Sequence, residues 1–317
     1  KERQTQPTYH TMETCVTFTW MQLCNRLLQM TGNSLYADYM ETAIYNALMA
    51  SLKADASQIA KYSPLEGWRH EGEEQCGMHI NCCNANGPRA FAMIPQFAYQ
   101  VQDDCVRVNF YAPSEAELVL PGKKSVWLRQ TTEYPRTDQI EIEVDPAKET
   151  TFTIALRIPA WSKIAVVSVN GQPQDGVLQG AYLPVNRKWK KGDRITVKLD
   201  LRARLVERNQ AQAIVRGPIV LARDSRFGDG FVDEASVVVS KDGYVALTPV
   251  KAPGFAWLAF TVPMVLGTDL ESNRAPKQIH FCDFASAGNT WDKTQRYRVW
   301  LPKTLNVMHS PYRPYNQ

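Results

Sequence analysis

The texture of the chain changes near residue 100, and that change limits the folds open to it. Before it, apolar side chains recur at helical spacing; after it, they alternate residue by residue between frequent turns. Residues 12–31 place Val16, Phe18, Trp20, Leu23, Leu27 and Leu28 at a helical period, and Gly32-Asn33 ends the pattern. A second helix is predicted from about Leu35 to Leu52, with Tyr36, Tyr39, Met40, Ile44 and Leu48 as its apolar set. Residues 62–86 read as a loop rich in Gly, Pro, His and charge, and a third helix follows Pro88 through Phe91, Ile94 and Phe97. Downstream, residues 105–111, 140–144, 151–158, 166–170 and 194–199 alternate with a period of two, and Asn170-Gly171 and Lys191-Gly192-Asp193 mark turns between them. A further β-rich stretch begins near Ala213. Helices followed by strands argue for a multidomain α + β chain. The expected division is a helical part over 1–100 and two antiparallel β-sandwich domains over 101–208 and 209–317.

Composition excludes several partners. The 317 residues are 44% apolar, enough for more than one proper core. Net charge is only +4 and no basic run stands out, so nucleic acid is not expected. No stretch of about 18 apolar residues is present, so no membrane-spanning helix is expected. Seven cysteines at irregular spacing do not form a disulfide framework, and Cys24, Cys105 and Cys282 sit in apolar surroundings that suit core thiols. The opening Lys-Glu-Arg-Gln-Thr-Gln-Pro is neither a signal peptide nor a natural start, and the chain reads as a piece of a longer protein.

Chemistry concentrates at Cys82-Cys83. Neighbouring cysteines rarely bond to each other, because a trans peptide holds their Cα atoms about 3.8 Å apart, closer than a relaxed disulfide. Two adjacent thiolates can instead face one soft metal ion. Glu13 and Cys15 lie about seventy residues earlier and complete a set of three sulfurs and one carboxylate, a four-coordinate zinc shell by donor type. The alternative is that these are buried free thiols behaving as small hydrophobes, and spacing alone leaves both readings open. Cys76, in Glu-Glu-Gln-Cys-Gly, is a bystander, a redox partner or a substitute ligand.

Three segments, Glu13-Thr-Cys-Val-Thr-Phe-Thr-Trp, Tyr36-Ala-Asp-Tyr-Met-Glu-Thr-Ala-Ile-Tyr-Asn-Ala-Leu and Cys82-Cys-Asn-Ala-Asn-Gly-Pro-Arg, resemble glycoside hydrolase family 127, typified by β-L-arabinofuranosidases. The resemblance continues through Thr131-Thr-Glu-Tyr-Pro, Leu156-Arg-Ile-Pro-Ala-Trp, Val169-Asn-Gly, Trp189-Lys-Lys-Gly-Asp and Arg216-Gly-Pro-Ile-Val to Ser286-Ala-Gly-Asn-Thr-Trp and Tyr297-Arg-Val-Trp-Leu-Pro. It implies the closing helices of an (α/α)6 barrel, followed by the two β-sandwiches. It also implies a retaining glycosidase acting on a β-L-arabinofuranoside or related rare-sugar linkage of complex, plant-type glycans.

By motif position the resemblance makes Glu13, Cys15, Cys82 and Cys83 the zinc ligands and Cys82 the nucleophile. It makes Glu41 an active-site carboxylate. Tyr62 and His79 become candidate sugar-contacting residues, while Asn86 and Arg89 shape the cysteine turn. The resemblance also puts the acid/base glutamate roughly sixteen or more residues before the Glu-x-Cys motif, hence upstream of Lys1, with Glu2 too close to Glu13 by that count; His10 is given no role. The expected partner is an oligosaccharide or glycan, the compartment cytoplasmic or periplasmic, and the oligomeric state open. The competing reading is a non-catalytic carbohydrate-binding or structural relative.

Overall fold

Among the residues described by the computed structural model (12–75, 77, 79–230, 232–266 and 275–304), strands far outnumber helices. Glu2, His10 and Cys76 lie outside the described residues. Three α-helices lie before residue 100, α1 (Thr14–Thr31), α2 (Leu35–Thr42) and α3 (Cys82–Ala98), with one two-residue strand, Glu66–Gly67, between α2 and α3. A π-helical turn, Ala43–Leu48, continues α2.

The chain forms two compact units. One takes the residues up to Thr19, Ala43–Arg89 and those from Arg202 onward; the other takes Trp20–Thr42 and Ala90–Leu201.

In the first unit the strands belong to one sheet, twelve-stranded among the described residues. Its central path runs Ala259–Leu266, Lys277–Asp283, Ile219–Asp224, Ala211–Arg216, Ala203–Arg208. The hairpin Ala203–Arg208/Ala211–Arg216 straddles residue 208 and is paired over its full length. Ile214, Leu221, Val262, Phe281 and Leu301 form the core of this unit. Burying each such side chain contributes roughly 1.5–3 kcal/mol.

The second unit carries a four-stranded and a six-stranded sheet. Thr150–Ile158 pairs antiparallel with Ala181–Trp189 and parallel with Cys105–Val108. The six-stranded sheet begins Ser114–Leu120, Lys124–Thr132, Gln139–Pro146, Asp193–Leu199. Period-two patterning is visible in its burial: Ile140, Ile142 and Val144 are fully buried while the residues between them are not. Asn170 and Gly171 both take positive φ, 51° and 79°, as the tight turn after Ala165–Val169 requires.

Two helical expectations shift. Helix α3 starts at Cys82, six residues before Pro88. Asn81 caps it, its Oδ1 accepting from the Cys83 N–H (3.0 Å) while Asn84 Oδ1 accepts from the Asn81 N–H (3.0 Å). Proline weakens the sequence signal because it removes a helical hydrogen bond. The turn before it is held by these caps and by close packing at Gly87, where a Cβ would meet the Ile59 side chain at 2.8 Å. Helix α1 is apolar on two faces. Phe18, Met21, Cys24 and Leu28 are buried, whereas Val16, Trp20 and Leu23 are exposed.

Candidate metal centre

The first turn of α3 and the first turn of α1 supply the thiols. Thr14 locks the start of α1, its N–H donating to Lys61 O (2.9 Å) and its hydroxyl to Ala60 O (2.7 Å). Glu13 forms an isolated antiparallel bridge with Tyr62. These contacts set Glu13 and Cys15 against the segment that leads to Cys82. Cys15 Sγ lies 2.9 Å from Cys82 Sγ and 3.3 Å from Cys83 Sγ, and Cys82 Sγ lies 3.9 Å from Glu13 Oε1. All four donor atoms fall within 4.8 Å of one another.

This group can hold a metal ion. Three thiolates and one carboxylate match the donor preference of zinc. In a tetrahedral shell with sulfurs about 2.3 Å from the metal, neighbouring sulfurs stand about 3.8 Å apart. The observed separations reach that by opening less than about 1 Å. The side-chain amide of Asn86 donates to Cys15 Sγ (3.3 Å), as a thiolate ligand needs, and Asn86 in turn accepts from Arg89 (3.2 Å). The Cys82 N–H donates to Gln75 Oε1 (2.9 Å) and fixes the turn.

Without a cation Cys82 and Cys83 resist ionisation. Cys82 is pushed up by its hydrogen bond with Cys15 and then by partial burial. Cys83 is pushed far up, first by burial and then by Cys15. Three crowded sulfurs cannot all carry charge unless a positive ion compensates. Among them only Cys82 is exposed; Cys15 is half-buried and Cys83 fully buried.

The other candidates are not among the four clustered donors. Tyr62 stands beside Glu13, with Lys61 Nζ 5.4 Å from its ring centre. His79 is exposed, carries a positive φ of 56°, and pairs with Glu74 (2.9 Å) rather than with a sulfur. Glu41 belongs to the second unit and is outside the four-residue cluster. Its carboxylate is buried and accepts from Arg157 (2.7 Å), Tyr134 (2.8 Å) and Trp161 (3.3 Å). The fully buried Arg157 also pairs with Asp38. Two stretches quoted above, Thr131-Thr-Glu-Tyr-Pro and Leu156-Arg-Ile-Pro-Ala-Trp, thus supply the partners of Glu41. Asn86 and Gln75 are contacts that spacing underplays. The one available signal is that Asn86 follows Cys82 and Cys83 by one helical turn.

Comparison with known proteins gives one answer. A family profile described as β-L-arabinofuranosidase, GH127 catalytic domain, matches residues 1–96, and one described as GH127 middle domain matches 105–201. A curated non-reducing end β-L-arabinofuranosidase from Bifidobacterium longum is 26% identical over 235 residues, covering 66% of this chain and 34% of that protein. The solved GH127 β-L-arabinofuranosidase from Geobacillus stearothermophilus T6 superimposes with a TM-score of 0.76 at 23% identity, covering 92% of this chain and 49% of that one. A second solved GH127 β-arabinofuranosidase gives a TM-score of 0.79 at 24% identity, covering 96% and 51%. These likenesses show a shared fold, and the chain spans about half the length of the solved relatives or less of the curated one.

Proposed function

The chain belongs to glycoside hydrolase family 127, and from that membership we propose that it carries the thiol half of a retaining glycosidase site. The substrate is a β-L-arabinofuranoside or related rare-sugar linkage in a complex, plant-type glycan. On this reading residues 1–100 are closing helices of an (α/α)6 barrel, and the strands that follow make two β-sandwich domains.

The observation that carries the reading is the contrast within the cysteine pair. Cys82 presents an exposed sulfur, while Cys83 and the half-buried Cys15 are set back around it with Glu13. A bound zinc ion would hold these sulfurs as thiolates at neutral pH. Cys82 Sγ then attacks the anomeric carbon; the S–C bond forms as the bond to the leaving oxygen breaks, and a general acid gives that oxygen its proton. In the second step water attacks the same carbon and gives its proton to the conjugate base of that acid; the S–C bond breaks, Cys82 leaves as the thiolate and the sugar is released with its configuration retained. Asn86 steadies the Cys15 sulfur, and the Gln75 contact orients the Cys82 backbone. Tyr62, next to Glu13, is suited to touch the sugar; His79 would do so only after leaving Glu74. Glu41 enters as an active-site carboxylate through the resemblance, whereas its observed partners favour a charge-anchoring role.

The test is peptide mapping of the intact protein after treatment with a mechanism-based arabinofuranosyl inactivator. A label on Cys82 is expected. A label on Cys83 or on a carboxylate overturns the assignment, and an inverted product in early hydrolysis removes the covalent mechanism.

A further inference from the structure

Arg69 is fully buried, and no ion pair joins it to a carboxylate among the described residues. Its guanidinium donates to three main-chain carbonyls of one turn: Phe284 O (2.7 Å), Ala285 O (3.3 Å) and Ala287 O. Asp283 accepts from the backbone N–H groups of that turn, its Oδ2 from Ser286 (2.9 Å) and its main-chain O from Ala287 (3.2 Å), while the carbonyls of the turn face the cation. The guanidinium also lies 4.8 Å from the Phe284 ring centre and 4.6 Å from that of Tyr297. Gly288 makes room for that ring, since a Cβ there would meet it at 2.4 Å.

The same segment is stitched to the C-terminal strands just before Arg69. Tyr297 donates its hydroxyl to Pro64 O (2.6 Å), the Val299 N–H donates to Leu65 O (2.8 Å), and Arg298 pairs with Glu66 (2.9 Å). On both sides of Arg69 the segment holds the thiol centre. Lys61 O accepts from the first residue of α1, Glu71 O accepts from the Asn81 amide (2.8 Å), and Gln75 accepts from the Cys82 N–H. Asn81 is the cap of the cysteine helix.

We infer that Arg69 is a positioning residue for the thiol centre: clasped by the 284–287 turn and Tyr297, it holds the 61–75 segment at the spacing that brings Glu13 and the three cysteines together. The C-terminal sheet is then part of the scaffold of the metal centre. The inference rests on the metal reading above for its role but not for its geometry.

The test uses the chain loaded with cobalt(II), whose thiolate-to-metal charge-transfer band reports how many sulfurs bind. Arg69→Met should weaken cobalt affinity about tenfold and reduce the band. Tyr297→Phe, which loses only the hydroxyl contact, should do the same to a smaller degree. Val262→Ala, a core change in the same sheet away from the segment, should lower the melting temperature and leave the band unchanged. Wild-type affinity and an unaltered band in both Arg69→Met and Tyr297→Phe would overturn the inference; if Arg69→Met fails to fold, Tyr297→Phe decides it. If the wild-type chain takes up no metal, the metal reading itself fails. Alkylation of the metal-free chain then decides the inference: Cys82 should react well before Cys83 in the wild type, and Tyr297→Phe should narrow that gap. An unchanged gap would overturn it.

Discussion

The Sγ atoms of Cys15 and Cys82 lie 2.9 Å apart, although 67 positions separate the two residues. The contact makes Cys82 harder to charge, and burial does the same to Cys83. A divalent cation offsets both effects, so the cluster should bind one zinc per chain. Cys83→Ser should weaken zinc binding by more than about 100-fold, because an interior ligand is lost rather than a supporting contact. Cys82→Ser should keep part of the metal and lose turnover. Metal analysis after dialysis against a competing chelator, paired with activity of the intact protein, separates the two; equal metal retention in both variants contradicts the division of roles.

Asn86 should matter through its donor. Asn86→Ala removes the hydrogen bond to Cys15 Sγ and should cost about tenfold in zinc affinity. Asn86→Asp should cost more, since it sets a carboxylate against a thiolate. Competition titration with a chromophoric chelator gives both values, and an unaffected Asn86→Asp would show that the amide does not support the sulfur.

His70 makes the 61–75 segment sensitive to pH. Its Nδ1 accepts from the Gly72 N–H (2.9 Å), which only the neutral ring can do. Burial is the largest influence and holds its pKa below the ordinary 6.5. The unfolded chain therefore takes up this proton first as pH falls. Stability from His70 is complete above about pH 6.5 and is lost as pH drops through the folded value. Melting temperatures measured from pH 8 to pH 5 should decline below 6.5 in the wild type and decline less in His70→Asn, which keeps an acceptor and does not titrate. Identical slopes would contradict this.

Arg157 should be essential to the second unit. Removing it strands Asp38 and Glu41 as buried anions. Arg157→Met should cost about 3–5 kcal/mol, the range for a buried pair that loses one partner. Replacing all three together with apolar residues of similar size should cost much less. Urea unfolding of the single and triple variants decides it, and a single variant within 1 kcal/mol of wild type (on the order of a surface change) would show the network to be incidental.

The sequence by itself determined that the α-helices lie before residue 100 and nearly all the strands after it. That information is local, because each periodicity records which face of its own element is buried. The donor types of the candidate metal centre, Glu13, Cys15, Cys82 and Cys83, were legible as well, but spacing left metal ligands and buried free thiols both open, and only the family resemblance chose between them. Local patterning could not say that α3 begins at Cys82, because Pro88 masks a turn held by Asn81, Asn84 and the fit of Gly87 against Ile59. It could not choose which cysteine is exposed, since neighbouring residues carry the same chemistry and only packing turns Cys83 inward. The partners of Glu41 lie 93 to 120 positions away, and those of Arg69 more than 200. Contacts at that range leave no period behind in the chain. They arise only when the sheets close, and tertiary structure alone decided that the cation at 69 meets carbonyls and the carboxylate at 41 meets a guanidinium.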